Sequence, residues 1–189
     1  MKELNRRAFL KLSGASAALL ALAACGGGSS APAVPTGKEA ELVAAINKVW
    51  KEKFDAGQAT YEKLTFNQDA VRAVRGYGRV FEKANETPHK LTPSDSAIIF
   101  EESDGFEAEM LKKYGENSLA GMAGISEPST DMVVALEDEY SCEDTAIRTF
   151  VAKLLNNSNS AKAEFISIYL PVVQGKTYMT AVVFRNNKA

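Results

Sequence analysis

Histidine and cysteine, on which most zinc sites and many catalytic centres depend, are almost missing from this sequence. Its 189 residues include one histidine, His89, and two cysteines, Cys25 and Cys142. The chain has no Cys-x-x-Cys pair, no glycine-rich phosphate loop and no serine in a Gly-x-Ser-x-Gly elbow. A Ser-His-Asp triad would have to use His89, and no local motif supports one. The sequence therefore does not belong to the enzyme classes that these motifs define.

A surplus of positive charge is also absent. The chain has 22 Lys and Arg residues against 24 Asp and Glu residues, which gives a net charge of −2. Residues 1–24 contain four basic side chains and one acidic one, so their removal leaves a net charge of about −5. We expect no nucleic-acid partner, because such proteins carry a basic surface.

The amino terminus has the pattern of a secretory signal. Four basic residues, of which Lys11 is the last, precede an apolar run from Leu12 to Ala24. The alternative is a permanent membrane span, but a span needs about 20 apolar residues and this run is shorter. Residues 6–11, Arg-Arg-Ala-Phe-Leu-Lys, resemble the twin-arginine export motif. Arginine pairs also occur in ordinary signals, so export by either route stays open.

The end of this signal resembles a lipobox, the cleavage site of bacterial lipoproteins. Leu22-Ala23-Ala24-Cys25 offers small residues for cleavage and a thiol that accepts the lipid. We expect acylation at Cys25, including palmitate, to hold the protein on the extracytoplasmic face of the cell membrane. Residues 26–37 are rich in Gly, Ser, Ala and Pro, which is typical of a flexible tether. The predicted organisation is a signal peptide over 1–24, a lipidated cysteine and linker over 25–37, and one globular domain over 38–189.

Cys142 is the only thiol of the predicted globular domain. An oxidising compartment would give it no partner within the chain, so disulfides do not hold the fold. We interpret Cys142 as a small, half-buried residue near a helix start. A reactive thiol and a link between two copies remain alternatives.

Apolar residues that recur at three- and four-residue spacing predict four helices in this domain. Asn67 is expected to cap the second helix, and Ser141 with Asp144 resembles a capping box ahead of the fourth. The first three are expected at about Lys38 to Phe54, Asn67 to Glu86, and Asp104 to Tyr114. The third would bury Phe106, Met110 and Leu111.

The carboxyl-terminal part changes to a strand pattern. Residues 165–173 and 177–185 are rich in β-branched and aromatic residues, and Gln174-Gly175-Lys176 between them predicts a hairpin turn. Residues 118–122 and 132–136 are weaker strand candidates. Early helices and a late antiparallel sheet favour the α+β class over a doubly wound sheet.

Two acidic runs, Glu101-Glu102-Ser103-Asp104 and Glu137-Asp138-Glu139, offer carboxylates of the kind that bind calcium. Neither has the alternating ligand spacing of a calcium loop. We interpret both as solvated surface.

The order of these segments resembles the CAP or SCP-like domain family of cysteine-rich secretory proteins, antigen 5 and pathogenesis-related proteins. Residues 45–50, Ala-Ile-Asn-Lys-Val-Trp, and 64–69, Leu-Thr-Phe-Asn-Gln-Asp, resemble its opening helix and the start of its second helix. Gly115-Glu116-Asn117-Ser118 is similar to its Gly-Glu-Asn-Ile segment. Residues 150–158 and 178–184 resemble its late helix, which ends in Asn-Ser, and its closing strand.

This resemblance implies an α-β-α sandwich with an antiparallel sheet and a surface cleft in which histidines and glutamates bind a divalent metal. His89 falls at the position of the first histidine, and Glu116 is the glutamate of Gly-Glu-Asn. The second histidine is expected at residue 161, which is Ala161 here. A zinc site needs at least three protein ligands, so His89 and Glu116 are weak candidates for binding zinc or another divalent metal. Other roles are open: His89 as an exposed loop residue, and Glu116 and Asn117 as residues that fix the cleft wall.

The resulting prediction is a membrane-anchored CAP-like lipoprotein with a degenerate metal site and no resident cofactor. Its domain would act as a non-catalytic binding module for a lipid, a glycan or a peptide. The alternative is a metal-assisted hydrolase that acts on cell-envelope or extracellular substrates. A spacer without a small ligand is a third possibility.

Overall fold

Five α-helices and a set of mostly short strands make up residues 34–188, the part of the chain that the structure, a computed structural model, describes. The predicted signal, Cys25 and the first part of the linker lie outside these residues. The helices are α1 (Lys38–Asp55), α2 (Arg72–Ala84), α3 (Pro93–Ser103), α4 (Phe106–Tyr114) and α5 (Asp144–Leu154). The strands are β1 (Thr65–Phe66), β2 (His89–Lys90), β3 (Leu119–Ala123), β4 (Val133–Val134), β5 (Phe165–Tyr169), β6 (Val172–Val173), β7 (Lys176–Thr177) and β8 (Thr180–Phe184).

The main sheet has four strands in the order β1-β5-β8-β3. Strand β8 pairs antiparallel with both β5 and β3, whereas the two-residue β1 pairs parallel with β5. The β2–β4 and β6–β7 pairs form separate two-stranded ladders. The α+β class is therefore confirmed, with one parallel pair added to the expected antiparallel sheet.

Alternate residues of β8 face opposite sides of the sheet, as the period of two requires. Ala181 and Val183 join a core with α1 and α5, and Val182 and Phe184 join a second core with α2 and α4. The helices thus form a layer on each face. Helix α3 packs on α2 and is an outer element of the second layer.

The apolar stripe of α1 is buried as predicted. Leu42, Ile46 and Trp50 are each fully buried, and the indole Nε1 of Trp50 donates to the carbonyl of Tyr61 at 3.1 Å. Asn67 acts as a cap, because its side chain accepts from the backbone N–H of Asp69, but it caps a 3₁₀ turn and not α2, which begins at Arg72 without a side-chain cap. A short 3₁₀ turn over 68–70 then leads into α2, which ends at Ala84 instead of the expected Glu86.

Helix α3 is absent from the sequence-based prediction, although its start carries a strong local pattern. Thr92 accepts from the backbone N–H of Asp95, Asp95 accepts from the backbone N–H of Thr92, and Pro93 occupies the first helical turn. This is a capping box with proline at the helix start. The buried residues of this helix are Asp95 and Glu102, so no apolar stripe follows the capping box and hydrophobic periodicity does not predict the helix.

Several other expectations are corrected. Leu111 is 52% exposed, because α4 turns only Phe106, Met110 and Tyr114 inward. The capping box at α5 does not form: Ser141 accepts from the backbone N–H of Glu143, and the helix begins without a side-chain cap. The strand predicted over 165–173 is interrupted at residues 170–171, where Pro171 offers no backbone N–H. The hairpin turn at residues 174–175 is confirmed.

Among the described residues, no helix combines the length and the apolar character of a membrane span.

Candidate functional site

His89 lies in β2, directly after α2, and is held on both sides by carboxylates. Its ring Nδ1 is 2.5 Å from Glu86 Oε1, and its Nε2 is 3.0 Å from Asp95 Oδ2. The side chain is only 11% exposed, and the backbone pairs with Val134 of β4. The interpretation of His89 as an exposed loop residue is therefore corrected, since the imidazole is largely buried and links the segment after α2 to the start of α3.

The charges of this link stabilise one another. The hydrogen bond to Asp95, and then that to Glu86, raises the pKa of His89 above its usual value. Burial alone would raise the pKa of Asp95, but hydrogen bonds from Thr92 and His89 outweigh it and lower the pKa to about 2. Each ring nitrogen faces one carboxylate. The protonated imidazolium can donate a hydrogen bond to both carboxylates, whereas the neutral ring can donate to only one. No lone pair of the imidazolium remains for a metal.

Glu116 and Asn117 lie in the turn between α4 and β3, and both are exposed. Their backbone carbonyls accept from the side-chain amide of Asn187, at 2.8 and 3.0 Å. Asn117 has a positive φ of 53°, a conformation that asparagine tolerates better than most residues. This segment joins the start of β3 to the chain that follows β8.

The structure does not bring His89 and Glu116 together. His89 follows the carboxyl end of α2, whereas Tyr114, two residues before Glu116, donates to Asp69 just before the amino end of that helix. Thirteen residues of α-helix rise about 20 Å. A single cation, with ligands at about 2 Å, would not reach both side chains.

Ala161, the position expected to hold the second histidine, lies in a short 3₁₀ turn over Ser160–Lys162, between α5 and β5. Its neighbour Ser160 donates to the carbonyl of Ala120, near the start of β3. Within residues 34–188, no group of three or more His, Cys, Asp or Glu side chains is arranged to hold a metal ion. The residues that the resemblance assigns to a metal centre thus do not fit one cation.

A buried ion-pair cluster was missed. Glu102 is 7% exposed and accepts from Arg75 Nε at 2.8 Å and from Arg79 Nη1 at 2.7 Å. Burial alone would raise the pKa of Glu102, but hydrogen bonds from both arginines outweigh it, so the pKa is lowered. The acidic run 101–104 is therefore not uniformly solvated. Its partners were visible in the sequence, because Arg72, Arg75 and Arg79 recur at helical spacing.

The remaining candidates have simpler surroundings. Cys142 is exposed, not half-buried, and lies just before α5 with its Sγ 3.5 Å from the hydroxyl of Tyr140. In the acidic run 137–139, Glu137 and Asp138 pair with Lys153, and Glu139 pairs with Lys176. Two lysines thus partly balance the three carboxylates of this run.

Comparison of the chain with protein-family models, with curated proteins and with solved structures gave no match.

Proposed function

We propose that this chain is a lipoprotein, anchored through Cys25 to the extracytoplasmic face of a bacterial membrane. Its folded part would be a CAP-like binding module without catalytic activity. The anchor is supported by the sequence: a basic segment, a short apolar run, a lipobox and a tether follow one another over residues 1–37. The expected ligands are a lipid, a glycan or a peptide.

The observation that carries the domain assignment is the structural role of the motif residues. Asn47, within the first motif, donates through its amide to the carbonyl of Leu64 and accepts from the same residue's backbone N–H. Asn67, in the second motif, caps the turn that leads into α2. These asparagines join α1 to the start of the sheet and start the second layer, so the resembling residues organise the two helical layers around the sheet.

The absence of catalysis is proposed from the geometry of the two charged candidates. His89 uses both ring nitrogens within the fold, and Glu116 lies about a helix length away. A metal-assisted hydrolase needs a metal with at least three protein ligands and an open position. The alternative function would require ligands other than the pair that the resemblance assigns.

The anchor is tested by replacing Cys25 with serine. Because only a thiol accepts the lipid, Cys25→Ser should no longer incorporate labelled palmitate in cells and should accumulate as the uncleaved precursor. Cys142→Ser is the matched control, since it removes the only other thiol and should leave labelling unchanged. Labelling that persists in Cys25→Ser would disprove the lipoprotein proposal.

The catalytic alternative is tested by calorimetric titration of the full chain with zinc. We expect a dissociation constant no tighter than about 1 μM, equivalent to about −8 kcal/mol. His89→Gln should leave this value unchanged, because the imidazole is committed to Glu86 and Asp95. Nanomolar binding that His89→Gln removes would instead support the hydrolase.

A further inference from the structure

Phe100, on the outer side of α3, is the most exposed large apolar side chain of the described residues, at 72% of its surface. Single exposed apolar side chains are common on protein surfaces, so Phe100 indicates an interaction site only together with its surroundings. Leu111 of α4 is a second exposed apolar residue, at 52%. The question is whether α3 is held in this orientation or is free to turn.

Three arginines of α2 fix α3 and the turn that follows it. Residues two apart on a helix point in nearly opposite directions, so burying Glu102 against Arg75 and Arg79 turns Phe100 outward. Arg72 donates to the backbone carbonyls of Glu102 and Asp104. Rotating Phe100 inward would take the carboxylate of Glu102 away from both arginines, so the exposure of Phe100 is part of the stable fold.

The surface around Phe100 is concave and acidic. A depression of about 680 Å³ at the α3–α4 corner is lined by Phe100, Glu101, Ser103, Asp104, Gly105, Glu107 and Ala108. Its three carboxylates, on Glu101, Asp104 and Glu107, form no ion pair within residues 34–188. Gly105 has a positive φ of 69°, and a side chain added there would meet no atom within 4 Å, so the depression is open to solvent at this residue.

We propose that this corner binds a basic segment of a partner protein, with a Lys or Arg side chain over the ring of Phe100. An aromatic face attracts a cation, and the surrounding carboxylates add a complementary charge. A second copy of the same corner is disfavoured as the partner, because the three carboxylates of one copy would lie against the three of the other and repel them. An anionic lipid surface is disfavoured for the same reason. The proposal depends neither on the lipid anchor nor on the family resemblance.

The test uses the full chain in non-ionic detergent and a short fluorescent peptide rich in Lys, Arg and Leu, with anisotropy as the readout. A peptide with Glu in place of Lys and Arg is the negative probe. Phe100→Ser should weaken binding about fivefold, since it removes the cation–π contact. Val172→Ser, at a side chain 50% exposed elsewhere, should leave binding unchanged.

The acidic side chains are tested by the triple variant Glu101→Gln, Asp104→Asn and Glu107→Gln. The triple variant should weaken peptide binding more than Phe100→Ser does. Higher salt should reduce the difference in affinity between the parent and the triple variant, because salt screens the attraction between charges. The matched control, Glu127→Gln, Asp131→Asn and Glu143→Gln, makes the same change in net charge at exposed positions on other segments. Equal losses of peptide affinity in the two triple variants would show that only the net charge of the protein matters, and would overturn the proposal.

Two further results would also overturn it. Unchanged peptide binding by Phe100→Ser would show that the ring of Phe100 does not contribute to the site. Complete displacement of the peptide by millimolar tetramethylammonium would show a site for small cations only. Circular dichroism of each variant should match that of the parent, because none of these side chains is buried.

Discussion

Glu102→Gln is the sharpest test of how α3 is attached. The substitution keeps the length and shape of the side chain but removes its charge. Two guanidinium groups, on Arg75 and Arg79, then lose the carboxylate at 2.6 and 2.7 Å. Glutamine can accept from one of them, so the second arginine loses its partner in this cluster.

The size of the effect follows from burial. Removing one partner of a buried ion pair costs about 3–5 kcal/mol. Here the side chains of Arg75 and Arg79 are 38% and 44% exposed, and water can solvate them after the change. We therefore expect a loss of about 2–3 kcal/mol in the free energy of unfolding, or a fall in melting temperature of roughly 5–10 °C.

Trp50 provides the assay, because it is the only tryptophan and is fully buried. Urea unfolding followed by its fluorescence should show a lower midpoint for Glu102→Gln. Glu101→Gln, at an exposed neighbouring position, should change stability by less than about 0.5 kcal/mol. The difference in free energy of unfolding between the parent and Glu102→Gln should be fully present above about pH 4.3 and should fall as pH drops through the lowered pKa of Glu102. Equal small effects of both substitutions would refute the ion-pair argument.

Two further predictions concern the β2 link and the sheet. The pKa of His89 is raised by Asp95 and Glu86, so the stability that protonated His89 contributes is complete below about pH 6.5 and is lost as pH rises through the higher folded pKa. The difference in free energy of unfolding between the parent and His89→Gln should therefore shrink from pH 5.5 to pH 8.5. A difference that grows with pH would contradict the proposed ion pairs of His89. A chain that ends at Lys176 should lack a cooperative thermal transition because it lacks β8, whereas a chain that ends at Arg185 should retain one; a cooperative transition in the shorter chain would contradict the topology.

The sequence predicts those elements whose apolar residues keep a regular period. Leu42, Ile46 and Trp50 define α1, and the alternating core residues of β8 define the closing strand. Asn67 was also identified, because a cap depends on two neighbouring residues only. Such local patterns are sufficient for element type and for the α+β class.

Helix α3 has a local start signal in its capping box, but the rest of this helix and the surroundings of His89 depend on contacts that no local pattern contains. Helix α3 buries Asp95 and Glu102 instead of an apolar stripe, so hydrophobic periodicity does not detect it. The enclosure of His89 requires Glu86, two residues after the end of α2, and Asp95, in α3, to meet around the ring. Likewise, the distance between His89 and Glu116 is set by the length of α2 and by the packing of Tyr114, which motif spacing does not describe.

The position of β8 has a consequence for biosynthesis. Strand β8, the last in sequence order among the described residues, lies inside the sheet between β5 and β3, and β1 pairs with β5 across 100 residues of sequence. Until β8 has left the ribosome, β5 and β3 have no shared neighbour and the two cores lack their common wall. Pairing over such separations is slow because loop closure must precede it. We expect the domain to fold only after β8 has left the ribosome, so an export route that accepts folded proteins would have to wait for that strand.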